Sequence, residues 1–330
     1  GSQPDAAGPA VEQLEAQGLV EVQHDAVMVP DLYHDYFHAR SRELLPDWHA
    51  ELLSCCVDAT GELKSGLNRS KALSIKRRLA CHWVGAGAAS KVEVLDLSQG
   101  AFTLRCGGDV ITPFATALRK STSLTKLILS GNALGTRQYS LARTMTEASR
   151  GLSKLSTLTD AISANKSLTS LEMRNNSLGS RDGTVLAQCL RGNSTLTSLD
   201  LGGNPLGSVA VAAFAKGLEG NQALRVLSLD DCQLGLEGVE GLLAAANSCK
   251  LRSLRLAKNQ LGAKGAALLN GLLSQSRRLR HLDICYTALN VEGVTVLASG
   301  LARNRSLASL RLCGNDMGYL GVEQLTIALR

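Results

Sequence analysis

One spacing, L-x-x-L-x-L-x-x-N-x-L, constrains this chain more than any other feature. It starts at Leu124, Leu168, Leu196, Leu224, Leu251, Leu279 and Leu307, with a weaker copy from Val92, so the starts lie 32, 44, 28, 28, 27, 28 and 28 residues apart. A unit of this size cannot bury its own apolar side, and stacking buries it for both neighbours. In "LTSLDLGGNPLGS" from Leu196, Leu199 and Leu201 alternate inward, which predicts a short strand. Asn132, Asn176, Asn204, Asn259 and Asn315 hold the ninth place, with Cys232 and Thr287 in two copies. There a polar side chain can bond backbone groups left unpaired in the turn. "SVAVAAFAKGLEGN" follows with helical period, Ser208 as the expected cap and Gly220 as the stop.

The shape follows from two spacings. Parallel strands sit about 4.8 Å apart, whereas packed helices need about 8–10 Å. The array therefore bends, with a parallel sheet on the concave face and helices outside. The 44-residue interval implies 16 extra residues, read as an enlarged convex loop or helix around 136–151. "YLGVEQLTIALR" (319–330) reads as a last helix with an exposed apolar edge.

These eight copies resemble the leucine-rich repeat of the ribonuclease-inhibitor-like type. The resemblance implies an α/β solenoid over residues 91–330 that recognises macromolecules and carries no catalytic site. Ran GTPase activators, tropomodulin-like proteins, ribonuclease inhibitor and NOD-like receptors share this repeat type. A free-standing interaction protein or a small-GTPase regulator therefore stands as the alternative to a receptor.

Residues 1–90 are of a different design. They carry 8 Lys/Arg against 12 Asp/Glu, while residues 91–330 carry 27 against 17, which together give the net charge of +6. "PAVEQLEAQGLVEVQHDAVMVPDLYHDYFHARSRELL" reads as helix, strand, turn, strand, helix, with "LVEV" and "AVMV" as the strands. "LEAQGLVE…VMVPDLYHDYF" resembles the end of the winged-helix domain in STAND nucleotide-switch ATPases, the class of NOD-like receptors. "WHAELL…RRLACHWVGAG" is similar to the helical arm that follows it. The family's Met-His-Asp motif falls on Val29, Pro30 and Asp31, so its nucleotide-sensing histidine is a proline here. The resemblance implies a winged-helix-like remnant at 3–44, a helical arm or N-terminal cap at 45–90, and contact with a nucleotide-binding module outside these residues.

Catalytic motifs are missing from the sequence. It holds no G-x-x-x-x-G-K-[ST], H-E-x-x-H or G-x-S-x-G, and "GAGAAS" at 85–90 follows no strand. His34 and His38 are spaced for a metal on a helix, but no third ligand is evident, so neither metal nor cofactor is expected. No charged-then-apolar leader and no run near 18 apolar residues occurs, so no membrane segment is expected. Nine cysteines without C-x-x-C point to a reduced cytoplasmic setting, with Cys285 and Cys313 as free thiols on neighbouring strands.

A partner surface can be read from the third, fifth and seventh places, which point to the concave face. They bring Glu172, Arg174, Asp200, Asp230, Arg255, His281, Asp283 and Arg311 together, with Tyr286 beside them. The face carries 4 basic and 5 acidic residues, which suits a protein partner. A nucleic-acid groove would gather Lys/Arg with stacking aromatics. Arg255, Asp283 and Arg311 should form a cross-strand charge ladder. Arg225, Arg252 and Arg280 line up at the second place, where like charges repel, so helix C-terminal carbonyls or solvent should offset them, or an acidic partner or phosphates should be gripped there.

Overall fold

The computed structural model describes residues 21–23, 26–28, 84, 91–99, 111–135 and 145–329. The chain divides into two compact units, Gly1–Leu67 and Asn68–Arg330. In the first, β1 (Glu21–Gln23) pairs antiparallel with β2 (Ala26–Met28), the hairpin expected of the wing. The helices expected on either side of it, the helical arm, the His34/His38 pair and "GAGAAS" lie outside the described residues.

The second unit alternates strands and helices. In order they are β3 (Val94–Asp96), α1 (Ile111–Lys120), β4 (Lys126–Ile128), α2 (Met145–Ala164), β5 (Ser170–Glu172), α3 (Ser180–Gly192), β6 (Ser198–Asp200), α4 (Gly207–Leu218), β7 (Val226–Ser228), α5 (Leu236–Ser248), β8 (Ser253–Arg255), α6 (Gly262–Gln275), β9 (His281–Asp283), α7 (Val291–Arg303), β10 (Ser309–Arg311) and α8 (Gly318–Ala328). β3 to β10 form one parallel sheet in sequence order. The register sets Leu199 beside Leu227 and Leu227 beside Leu254, and the column runs from Leu95 to Leu310. Each central leucine from Leu95 to Leu282 is buried, and full burial of such a side chain contributes about 1.5–3 kcal/mol. This shared interior is why the strands can be three residues long.

Each strand leaves the sheet through a left-handed residue at the eighth place, which is Gln99, Gly131, Asn175, Gly203, Asp231, Lys258, Tyr286 or Gly314. A second left-handed residue then turns the chain into the helix. It is Ala133, Ser177, Gln233 or Ala288 at the tenth place, and Gly207, Gly262 or Gly318 at the twelfth. Pro205 holds the tenth place in the copy from Leu196, where its ring fixes φ near −65° and bars a positive φ, and Gly207 takes it at +71°, as Gly262 and Gly318 do in two copies without proline. α4 consequently starts at Gly207 with no side-chain cap, which corrects the expectation that Ser208 caps it.

Two ladders of amides close the turns. Asn204 Nδ2 donates to Met173 O (2.9 Å) and Leu201 O (2.6 Å), while its Oδ1 accepts from Asn176 N (2.8 Å) and Leu178 N (3.1 Å). Asn132, Asn176, Asn259 and Asn315 repeat the donation to carbonyls of their own and the previous repeat. A second set stands three places before four of the pattern starts, Leu168, Leu196, Leu224 and Leu307. Asn193 Nδ2 reaches Ile162 O (2.9 Å), Asn221 Nδ2 reaches Leu190 O (2.8 Å), and Asn165 and Asn304 do the same. These bonds satisfy the last carbonyls of the preceding helix, which the helix itself leaves unpaired.

The insertion expected around 136–151 becomes helix from Met145, and α2 is the longest of the described helices at 20 residues. At the far end Tyr319, Leu320, Val322, Ile327 and Leu329 are exposed, as the apolar edge expected there requires. Among the described residues no helix is long and apolar enough to cross a membrane.

Candidate functional site: the exposed sheet face and its basic rim

Side chains flanking each central leucine reach the open face of the sheet, and the charged ones are tied to each other across strands. Lys126 Nζ meets Glu172 at 2.8 Å. Arg174 Nη1 donates to both carboxylate oxygens of Asp200 (2.8 and 2.9 Å) and lies 3.7 Å from Asp230 Oδ2. Arg255 Nη2 meets the same Asp230 oxygen at 2.8 Å, and Arg311 Nη1 meets Asp283 at 3.4 Å. Asp230 is the hub of the middle group. It is 4% exposed, its Oδ2 also accepts from the Ser228 hydroxyl (3.2 Å), and its Oδ1 accepts from Ala257 N (3.0 Å). Burial lowers the Arg174 pKa, but the hydrogen bond and charge of Asp200 and the charge of Asp230 outweigh it and leave the guanidinium above its ordinary value.

The expected ladder Arg255–Asp283–Arg311 is therefore corrected in one place. Asp283 pairs with Arg311, but Arg255 turns to Asp230 on the other side. Both carboxylates are buried, but Asp283 is already held by Arg311 and by the Cys285 amide (3.2 Å), whereas Asp230, at the seventh place just past β7, turns its Oδ2 to Arg255. His281 is exposed at the start of β9, and Tyr286 is 58% exposed past its end. A Cβ on Gly314 would collide with the Tyr286 ring, so this glycine makes room for the ring to lie over the next turn.

Cys285 and Cys313 form a disulfide between neighbouring repeats, their Cα atoms 4.6 Å apart. This corrects the expectation of free thiols: the sheet register places the pair at the same position of adjacent repeats. Cys189, Cys232 and Cys249 are free and buried. Among the described residues no three His, Cys, Asp or Glu side chains are placed to hold a metal ion.

The rim at the strands' N-terminal ends differs from the face. Arg225 donates from Nη1 to the carbonyls of Gln222, Ala223 and Leu224 (2.8, 2.7 and 3.1 Å), which lie in the loop past the end of α4 at Leu218 and not at the helix C-terminus expected to offset this column. Arg252 and Arg280 are exposed, and among the described residues no carboxylate pairs with them. Sequence reading missed Lys126 as the partner of Glu172, and it missed the second amide set. "NKSL", "NSTL", "NQAL" and "NRSL" at 165, 193, 221 and 304 were its signal.

The family described as "Leucine Rich repeat" matches at residues 120–137, 192–215, 220–243 and 247–269. No curated protein matches the chain. Similar solved structures include the tropomodulin C-terminal domain of Caenorhabditis elegans, with 14% identity over 51% of this chain and 92% of that one and a TM-score of 0.38. Actin-binding site 2 of leiomodin-1 has 14% identity over 59% and 91%, with a TM-score of 0.33. The leucine-rich repeat-containing protein LegL7 from Legionella pneumophila has 23% identity over 73% and 72%, with a TM-score of 0.46. The matched segments fall on the copies from Leu124, Leu196, Leu224 and Leu251, and with every strand handing its leucines to the next the chain carries leucine-rich repeats built into an α/β solenoid.

Proposed function

We propose that the repeats recognise a protein ligand and that residues 3–90 pass its occupancy to a nucleotide-binding module of the STAND class in the cytoplasm. The carrying observation is the exposed sheet face, where five ion pairs link strands of the array into a mosaic of both signs. Such a surface is already neutralised toward small ions and selects a partner by matching its pattern. The hairpin of β1 and β2 supports the second half, since a two-stranded wing is what the winged-helix resemblance requires there.

In this reading the array has no catalytic step and needs no cofactor. A contact between array and switch holds the off state, and a ligand that prefers the open form shifts the population. Three buried free thiols support a reducing setting, while the Cys285–Cys313 bridge weighs toward an oxidising one.

The coding sequence upstream of residue 1 tests the switch. A phosphate-binding P-loop in the same reading frame supports it, and a start codon at residue 3 overturns it. Charge reversals at Glu172, Asp200 and Arg255, made in chains with unchanged circular dichroism, test the face. If all captured proteins remain bound, recognition does not occur there.

A further inference from the structure

The second place of the repeat changes character halfway along the array. In the three copies from Leu124, Leu168 and Leu196 it is Thr125, Thr169 and Thr197, and each hydroxyl donates to the second-place carbonyl one repeat earlier at 3.1 Å. In the next three it is Arg225, Arg252 and Arg280, and in the last it is Ala308. The backbone is the same throughout: Arg252 N donates to Arg225 O, and Arg280 N to Arg252 O, both at 2.7 Å. The fold therefore accepts threonine or alanine here and has no need of arginine. Three like charges on neighbouring strands, about 4.8 Å apart, oppose folding. Only Arg225 recovers part of that cost locally, through its three carbonyls.

The surroundings deepen the charge. Lys250, Arg277 and Arg305 are exposed in the loops just before these strands, and residues 221–225, 249–252, 276–280 and 304–308 hold no Asp or Glu. Nor do they hold Phe, Tyr or Trp, the platforms on which single-stranded bases stack.

We infer that this rim docks an acidic helix of a protein partner, with Arg252 and Arg280 as its principal contacts. Spacing decides for a helix. Carboxylates at i, i+4 and i+7 of a helix stand about 5–6 Å apart in succession, close to the strand spacing of the rim. An extended peptide presents same-face side chains about 6.7 Å apart and falls out of step within three repeats. Each guanidinium can grip a carboxylate through two parallel N–H donors. The inference rests on reading the array as a protein-recognition surface and is independent of the nucleotide switch.

Fluorescence anisotropy with the full chain tests it. The probes are an alanine-rich peptide of about fifteen residues with glutamates at i, i+4 and i+7, a peptide of equal composition with its glutamates in alternation and broken by proline, an oligo-dT and a short RNA duplex. Arg252→Thr with Arg280→Thr removes the charge using the residue that the fold already accepts at this place. Lys264→Thr, on the exposed side of α6, is the control. The helical peptide should bind tightest, weaken steeply between about 50 and 200 mM salt, and lose about tenfold in the double variant but not in the control.

Tighter binding of either nucleic acid overturns the proposal and makes the rim a phosphate edge. Equal binding of the two peptides removes the helix from it. Helical-peptide binding that survives the double variant also overturns it, yet leaves protein recognition elsewhere on the array standing. Failure to bind any probe overturns it outright.

Discussion

The guanidinium of Arg174 lies against Gly202: a methyl group on that glycine would meet Nη1, Cζ and Nη2 at 2.5–2.7 Å. The missing side chain on β6's exit is what lets Arg174 reach sideways to Asp200 and Asp230. Gly202→Ala should displace the guanidinium and lower stability by about 1 kcal/mol or less, the range of a part-exposed pair made through one nitrogen, Nη1. A double-mutant cycle by urea denaturation with Arg174→Ala checks it. Once Arg174 is absent, Gly202→Ala should cost close to nothing, and additive losses would show that the glycine acts elsewhere.

Asp230 should be the most costly charge to remove. Its carboxylate is held by Arg255 at 2.8 Å, by Ser228 and by the Ala257 amide, with Arg174 at 3.7 Å. Asp230→Ala leaves two guanidinia facing each other and one amide unpaired, at a cost of about 2–3 kcal/mol. Asp283→Ala breaks the looser pair with Arg311 and the bond it accepts from the Cys285 amide (3.2 Å), and with no second guanidinium left facing the first it should cost less, about 1–2 kcal/mol. Chemical denaturation of the two variants side by side gives the order, and a larger loss at Asp283 would refute the hub.

How much of this was legible in the sequence depends on which force fixes each feature. The leucine column was, because burial repeats with the period, and Leu199, Leu227 and Leu254 do lie on neighbouring parallel strands. The charge-bearing positions were legible too, since strand alternation places them. Their partners were not. Arg255 could lean toward Asp283 or Asp230, both of them buried, and the choice turns on Asp283 being taken by Arg311 on the next strand, a three-dimensional competition that spacing does not display. The thiols of Cys285 and Cys313 were placed side by side from the register, but the expected compartment led to the wrong bonding state. Ser208 illustrates the opposite case: local cap chemistry favoured it, but the left-handed residue is Gly207 and the helix begins there, as α6 and α8 begin at Gly262 and Gly318.

Asn204 offers a direct measure of the amide ladder. Fully buried, it donates to Met173 O and Leu201 O and accepts from Asn176 N and Leu178 N. Asn204→Ala strands three backbone groups, leaves Leu201 O with only the Cys232 thiol, and should cost about 3 kcal/mol, since each buried unpaired group costs about 1–3 kcal/mol and some relaxation is expected. Asn204→Cys should cost less, because Cys232 holds the same place in the next repeat and its thiol reaches the carbonyls of Leu201 and Asp230 at 3.4 Å. Hydrogen exchange at Asn176 and Leu178 reads the effect locally. Protection there should fall first in the alanine variant, and unchanged protection would show that packing alone holds the turn.

Alkaline pH should expose the buried thiols as a weak point. Burial pushes Cys189 and Cys232 from 9.0 up to about 12, and raises Cys249 as well. The unfolded chain releases these protons near pH 9 and the folded chain near 12, so the folded state holds them more tightly. Their contribution to stability is therefore complete below pH 9 and falls as pH climbs from 9 toward 12. At pH 8 the thiolate fraction of either is on the order of 10⁻⁴, so a thiol reagent should leave both unlabelled in the native protein and label them in urea. Cys232→Ser puts a hydroxyl donor in place of the thiol and removes the titration. It should flatten the loss measured by denaturation between pH 9 and 11, and an unchanged slope would assign that loss to other groups.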